Sequence, residues 1–360
     1  NGVVRFTDVK VPAENIIAGE GRGLKVALST LNTGRLTLPA ACVGMAKKCL
    51  QVVRQWSSER VQWGAPIGKH AAIADKLARI AANVFAIESM TLYTASLVDR
   101  DKHVDIRIEA AMCKMWGSEK AWEIVDETMQ IRGGRGYETA QSLKARGEDP
   151  IAVERWMRDC RINTIFEGSS EIMRLFIARE ALQSHLKVAA VALNTQLPIT
   201  RRAMAAWKAG LFYAGWYPRQ WLAFLDEGLP QVEGGIDPKL AKHLRYAKKI
   251  TRKLSRSLFH AMALYGPKLE REQILLGRFV DIGAEIFAIT AICARAQSML
   301  GRANRDQHVI ELADCFSRQA RLKIRELFRS LWSNNDKSNY RVAQEILAGN
   351  NQWLEKGIID

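Results

Sequence analysis

Between residues 24 and 191 the chain runs in four long stretches whose apolar residues recur every three or four positions, separated by short breaks. That period belongs to an α-helix with one buried face, and strands cannot use it. The clearest case is Ile73, Leu77, Ile80, Val84 and Ile87, which form one continuous stripe. Helices are expected over about 24–57, 70–98 and 106–131, and from just after Gly168 to about 191. The segment Trp63-Gly64-Ala65-Pro66-Ile67-Gly68 breaks the first pattern as a loop. Gly133-Gly134 offers a C-terminal cap to the third helix, and Ser169 or Ser170 an N-cap to the fourth. Four long helices with short connections make an antiparallel bundle, so the fold class is mainly α.

One stretch reads otherwise. Residues 3–11 alternate as V-V-R-F-T-D-V-K-V and then meet Pro12, a strand signal followed by a breaker. Residues 1–22 are therefore expected to be the end of a β-domain, residues 23–192 the four-helix bundle, and residues 193–360 an additional helical domain. The boundary falls near Leu197-Pro198-Ile199-Thr200, with further helices at about 201–226, 238–264, 268–302, 306–333 and 338–348. Because the sequence begins at Asn1 and enters a strand at once, it reads as a piece of a longer protein. The segment 138–153 is polar and reads as a surface excursion.

With 360 residues, 48% hydrophobic and 25% charged, the chain can bury full cores without disulfide or metal staples and suggests two domains. Its six cysteines form no C-x-x-C pair and mostly lie in helical runs. They read as reduced thiols with no zinc site, in the cytoplasm of a bacterium or the mitochondrial matrix of a eukaryote. No apolar run is read as approaching the roughly 20 residues of a membrane-spanning helix, and no signal peptide is visible. The net charge is +15, most of it after residue 180. Such an excess suits nucleic acid, anionic lipid or a polyanionic ligand, and charge alone does not choose among them.

Glu167 stands just before the fourth helix, whose first turn offers unbonded backbone N–H groups and a dipole that favours a carboxylate. Phe166 and Ile165 make its expected surroundings apolar. A carboxylate held between those influences can be tuned for proton abstraction. On the residues alone, ordinary dipole work at a helix start remains open.

Three segments stand out together: Arg60-Val61-Gln62-Trp63-Gly64-Ala65-Pro66-Ile67-Gly68, Gln130-Ile131-Arg132-Gly133-Gly134-Arg135-Gly136-Tyr137, and the run of residues 158–172 that reads R-D-C-R-I-N-T-I-F-E-G-S-S-E-I. In this order, on successive helices of one bundle, they resemble the carboxy-terminal domain of the acyl-CoA dehydrogenase family over about residues 1–185.

The resemblance implies a flavin enzyme that oxidises acyl-CoA to trans-2-enoyl-CoA. Glu167 would remove the α-proton while the β-hydride passes to flavin N5, with the Glu167 backbone N–H polarising the thioester carbonyl together with a ribityl hydroxyl. Some relatives carry the base on the first helix, just before an arginine. Here Leu31-Asn32-Thr33-Gly34-Arg35 occupies that stretch, and Gly34 cannot act. Arg35 is similar to the family arginine near the CoA portion, and Asn32 stands where relatives often place an acid. Phe166 and Gly168 are the remaining substrate-side candidates.

For FAD, the resemblance implies contacts from Arg60 and Trp63 across a dimer interface, with the Arg60 fork suited to the pyrophosphate. Trp63 replaces a more usual phenylalanine, and Ala71 a glutamine. Gln130, Gly133 and Gly134 match the adenine side, where glycines let backbone approach the ligand. Ser169 and Glu171 match further FAD contacts, glutamate being less usual there.

The implied partners are an acyl-CoA substrate, electron-transfer flavoprotein and a second copy of the chain in a homodimer. Acyl-CoA oxidase is the nearest enzymatic rival. Residues beyond about 190 resemble, more loosely, the extra helical domain of long-chain and very-long-chain members. Trp207, Phe212, Tyr213, Trp216, Tyr217, Trp221 and Phe224 cluster there, and the basic stretch 239–256 has Leu240, Leu244, Ala247, Thr251, Leu254 and Leu258 on one face. These features suit peripheral contact with the inner membrane or packing on the enzyme's own body. One branch of the superfamily resembles DNA-binding flavoproteins, but no nucleic-acid reading motif is recognisable here.

Overall fold

The computed structural model describes residues 2–193, 196–221, 228–232, 234–300 and 308–358. The four expected long helices are α1 (Gly23–Glu59), α2 (Ala71–Arg100), α3 (Arg107–Arg132) and, after three short helices, α7 (Ser170–Leu193). The short ones are α4 (Gly134–Tyr137), α5 (Ala140–Ala145) and α6 (Val153–Arg161). Helix α1 packs on α2 and α3, and α3 also packs on α2, α6 and α7. Their apolar stripes meet in a core that includes Ala46, Cys49 and Val53 of α1, Ile80, Ile87 and Met90 of α2, Met115, Ile124 and Val125 of α3, and Met173 and Ile177 of α7.

The second half contributes α8 (Ile199–Arg219), α9 (Pro238–Tyr265), α10 (Gln273–Leu300), α11 (His308–Ser330) and α12 (Asp336–Leu347). Helix α8 runs along α7, while α10 and α11 lie against α2 and α10 also against α7. One hydrophobic core takes in residues of α1, α2, α3, α6, α7, α9, α10 and α11. Polar pairs cross the same boundary. Arg174 of α7 binds Glu119 of α3 through both terminal nitrogens at 2.7 and 2.9 Å and donates to Asp281 of α10 at 2.8 Å. Trp116 donates to the buried Glu285 at 3.0 Å.

Four readings of the sequence need correction. Residues 3–11 form no strand, and Val3, Val4 and Phe6 are exposed. Alternation makes a strand only beside another strand, and none lies next to this segment among the described residues. Helix α10 begins at Gln273, five residues later than expected, because a 3-10 turn over Gly266–Arg271 intervenes. Gly266, with φ of 52°, caps α9 and starts that turn. Helix α8 ends at Arg219, directly after Pro218, and the rest of the expected helix to 226 falls largely outside the described residues. Finally, residues 34–59 of α1 are long and apolar enough to cross a membrane by length and composition. Their apolarity serves the bundle core, which takes in Leu38, Cys42, Ala46, Cys49 and Val53.

The polar excursion between α3 and α6 is tethered from below by the buried side chains of Leu143 and Val153. Arg135 and Arg146 pair with Glu138 and Glu148 across its surface. Of the six cysteines, five are buried and Cys315 is half-buried, and all are free thiols.

Candidate active site

Helix α6 ends at Arg161, and one 3-10 turn (Ile162–Thr164) leads into the segment before α7. Phe166 still donates its N–H to the Ile162 carbonyl at 3.0 Å. Then two consecutive residues take the left-handed region, Glu167 with φ of 55° and Gly168 with φ of 98°. For a residue with a side chain that conformation costs roughly 1–2 kcal/mol, so the surroundings must hold it. At Gly168 only glycine fits: the φ is strained for other residues, and a Cβ would meet the Met173 methyl at 2.6 Å.

The double turn swings the Glu167 side chain onto α1. A Cβ built on Gly34 would lie 2.7 Å from Glu167 Oε2, so the bare helix backbone at Gly34 is what gives the carboxylate room. Oε2 is buried and has no hydrogen-bond partner among the described residues. A buried acceptor left unpaired costs about 1–3 kcal/mol, and such an atom in a native fold asks for a functional reason. The Glu167 backbone N–H likewise has no partner among the described residues.

Two cations stand near this carboxylate. Arg35, one position after Gly34, is buried with its guanidinium over the Phe176 ring at 4.7 Å. Burial pushes its pKa down and the Glu167 charge opposes that. Lys114 of α3 is fully buried, and its Nζ donates to the Gly168 carbonyl at 2.7 Å. Burial lowers its pKa, with Cys42 and then Glu167 pulling the other way. The Cys42 thiol is itself pushed up to about 12 by burial. Phe166 and Ile165 leave a half-open apolar flank, 40% and 51% exposed. The side chain of Asn32 lies outside the described residues, although its backbone belongs to α1.

Sequence reading missed Lys114. The signal was a single lysine inside the run A-A-M-C-K-M-W, whose other residues are buried except the partly buried Met112. Ser169 and Glu171 stand two and four positions after Glu167. Ser169 Oγ accepts the Ile172 N–H at 3.5 Å, a weak N-cap. Hydrogen bonds from its own backbone N–H and from Ser169 hold the Glu171 carboxyl below the usual range. Both residues line a recess of about 360 Å³ together with Arg161, Thr164, Trp122 and Glu119.

The remaining candidates gather elsewhere. Residues Val61–Gln62 and Ala65–Pro66 form a two-residue-turn hairpin, with Trp63 (φ 49°) and Gly64 (φ 77°) at its tip. Positive φ at both central residues suits the twist of the flanking strands. Trp63 projects outward, 90% exposed, with the His70 ring edge-on at 5.6 Å. Trp56 ties this end of α1 to the end of α3: its Nε1 donates to the Ile131 carbonyl at 3.2 Å. The guanidinium groups of Arg132 and Arg60 lie 4.9 and 5.9 Å from its ring. Gln130, Gly133 and Gly134 are thereby brought beside Arg60. Gly133, with φ of 62°, ends α3, and both glycines face open space.

These two sets do not meet within one chain. Gly34 and Arg60 stand 26 positions apart along one helix, which at helical rise separates them by roughly 39 Å.

A long helical bundle whose last helix opens on an inward-turned acid, backed by a second helical layer, defines an acyl-CoA-dehydrogenase type of carboxy-terminal half. The profile of the acyl-CoA dehydrogenase C-terminal domain matches residues 21–182, and that of the ACAD9/ACADV C-terminal domain matches residues 238–352. The chain is 48% identical to the probable acyl-CoA dehydrogenase FadE10 of Mycobacterium tuberculosis, over 100% of this chain and 55% of that protein. It is 30% identical to the human mitochondrial very long-chain specific acyl-CoA dehydrogenase, over 92% of this chain and 48% of that protein. A crystal structure of an acyl-CoA dehydrogenase complexed with FAD from Bacillus anthracis superposes with a TM-score of 0.68 at 26% identity, over 92% of this chain and 54% of that one. The chain belongs to the acyl-CoA dehydrogenase family. It spans about half the length of these curated relatives.

Proposed function

We propose that the protein containing this chain is a FAD-dependent dehydrogenase of long-chain fatty acyl-CoA, with Glu167 as the base. The observation that carries the proposal is the Glu167 carboxylate. Its backbone is held in a left-handed turn, and one buried oxygen, without a partner among the described residues, faces the bare backbone of Gly34. A structural glutamate would find a hydrogen bond, whereas a base needs a free lone pair.

In this reading the acyl chain lies along the Phe166 flank and the CoA portion extends toward Asn32 and Arg35. The Glu167 N–H donates to the thioester carbonyl, which acidifies the α-carbon as an oxyanion hole would. Glu167 then takes the α-proton, with Gly168 supplying the turn that aims it. FAD supplies the acceptor for the β-hydride. Ser169 and Glu171 would hold it beside the base. Arg60, Trp63, Gln130, Gly133 and Gly134 would hold its far end. The exposed fork of Arg60 and the open space at both glycines fit a phosphate-bearing ligand laid against backbone. Because the two sets are roughly 39 Å apart along α1, the far-end set would come from the partner in a homodimer. Electron-transfer flavoprotein is the proposed electron acceptor.

The long-chain assignment rests on the second helical layer and its profile match over residues 238–352. A peripheral membrane contact is proposed for the exposed row Ile199, Met204, Trp207 and Leu211 of α8. Of the other aromatics there, Tyr213, Trp216 and Tyr217 pack around Phe259 of α9, Phe212 and Trp221 stay exposed, and Phe224 lies outside the described residues.

The test is anaerobic mixing of the full-length protein with palmitoyl-CoA, beside the Glu167→Gln variant. Flavin bleaching in the native protein and its loss by about 10³-fold or more in the variant is the expected outcome. Equal bleaching in both removes Glu167 as the base. Absence of bleaching in both, with FAD retained, removes the long-chain dehydrogenase reading. Rapid reoxidation by oxygen after bleaching assigns an oxidase instead.

A further inference from the structure

Lys114 is the largest fully buried side chain of the molecule's described residues, and it stands out as an ammonium in an apolar core. Burying a charge is expensive unless hydrogen bonds and counter-charge compensate. Its ammonium donates to the Gly168 carbonyl at 2.7 Å, the second peptide of the double left-handed turn. Among the carboxylates around it, Glu167 exerts the largest pull, ahead of Glu119. Core packing alone would be served better by methionine, of similar length and without desolvation cost. The lysine is therefore placed where its two compensations converge on one feature, the strained turn that carries the acid.

We propose that Lys114 is a positioning residue for Glu167: its ammonium pins the Gly168 carbonyl, keeps the two left-handed residues from relaxing, and supplies counter-charge beneath the carboxylate. This rests on the reading of Glu167 as the base. Without the pin, the strain of the turn is opposed by packing of Gly168 on Met173 and by the start of α7. Relaxation of φ at Glu167 would lift the carboxylate away from Gly34 and from the α-carbon of a bound thioester. Charge-assisted hydrogen bonds of this kind, and near-attack geometry of this kind, translate into roughly 10- to 100-fold in rate.

The experiment isolates proton abstraction from flavin reduction. Full-length FAD-loaded enzyme is incubated in D2O with 3-thiapalmitoyl-CoA, which carries sulfur at the β-position and so has no β-hydride to lose. Glu167 can still remove the α-proton and return a deuteron, and mass spectrometry reads the exchange. Native protein, Lys114→Met and Lys114→Gln are compared at saturating ligand, with FAD content and affinity for hexadecenoyl-CoA measured alongside. The expected result is retained FAD and unchanged enoyl-CoA affinity, with exchange slowed roughly 10- to 100-fold in the methionine variant and less in the glutamine variant, which keeps a donor. Exchange at the native rate in a variant that holds FAD overturns the proposal. If the methionine variant loses FAD, the glutamine variant decides by the same readout, and loss of FAD from both assigns Lys114 to the fold alone and also overturns it. No exchange in the native protein points instead to failure of the Glu167 reading itself.

Discussion

Gly34→Ala separates the needs of the helix from the needs of the site. On α1 alone the substitution is favourable: alanine in a helix interior is better than glycine by about 1 kcal/mol. At the site it is hostile, because the new methyl would sit 2.7 Å from Glu167 Oε2 and 3.4 Å from its Cδ. Ordinary contact begins at 3.4 Å, so the carboxylate oxygen must retreat by about 0.7 Å. It is the far end of a flexible side chain, and a modest rotamer shift of about 0.5–1.5 kcal/mol accommodates it. The two energies nearly cancel, and the melting temperature of the full-length protein should stay within about 3 °C of native. The α-proton abstraction should not survive equally well, since a displacement approaching 1 Å costs up to about 100-fold when geometry is catalytic. Stopped-flow reduction of the flavin by saturating palmitoyl-CoA, together with a thermal melt, measures both. A variant of native stability that is reduced roughly 10- to 100-fold more slowly supports the packing of Glu167 on Gly34. Native reduction rates in Gly34→Ala would refute it, because the carboxylate could then work from elsewhere.

Two further outcomes follow from buried chemistry away from the acid. Burial pushes the thiols of Cys42, Cys49 and Cys113 up to about 12 and those of Cys160 and Cys293 to about 11. Because only the thiolate reacts, peptide mass spectrometry after iodoacetamide at pH 8 should find these five unlabelled in the native protein and Cys315 labelled first; early labelling of Cys113 would contradict the packing of α2 on α3. Arg174→Ala leaves the carboxylates of Glu119 and Asp281 facing each other without their shared cation, and urea unfolding should report a loss of about 2–4 kcal/mol. A loss within error of zero would mean that the α3–α7–α10 junction is held by apolar contact alone.

What could be read from the sequence, and what could not, divides along sequence distance. The long helices were legible because their stabilising pattern is local: a stripe such as Ile73, Leu77, Ile80 and Val84 states its own period, and the observed α2 starts and ends within two residues of the expectation. Gly133 was legible as a stop for the same reason, since a helix end is a local event. The alternating segment 3–11 misled because a strand is not local, and its partner must come from elsewhere in a sheet. Glu167 could be singled out from its position before a helix, but nothing near it in sequence explains how it is held. Its room comes from Gly34 on α1 and the tether of its turn from Lys114 on α3. Each of those looks unremarkable in its own stretch, one a helical glycine of doubtful propensity and the other a charge in the wrong place. A helical glycine and a buried lysine are both costly to the helices that carry them. Both costs fall on the same carboxylate, which is the physical reason to treat the three residues as one unit and to test them by mutation together.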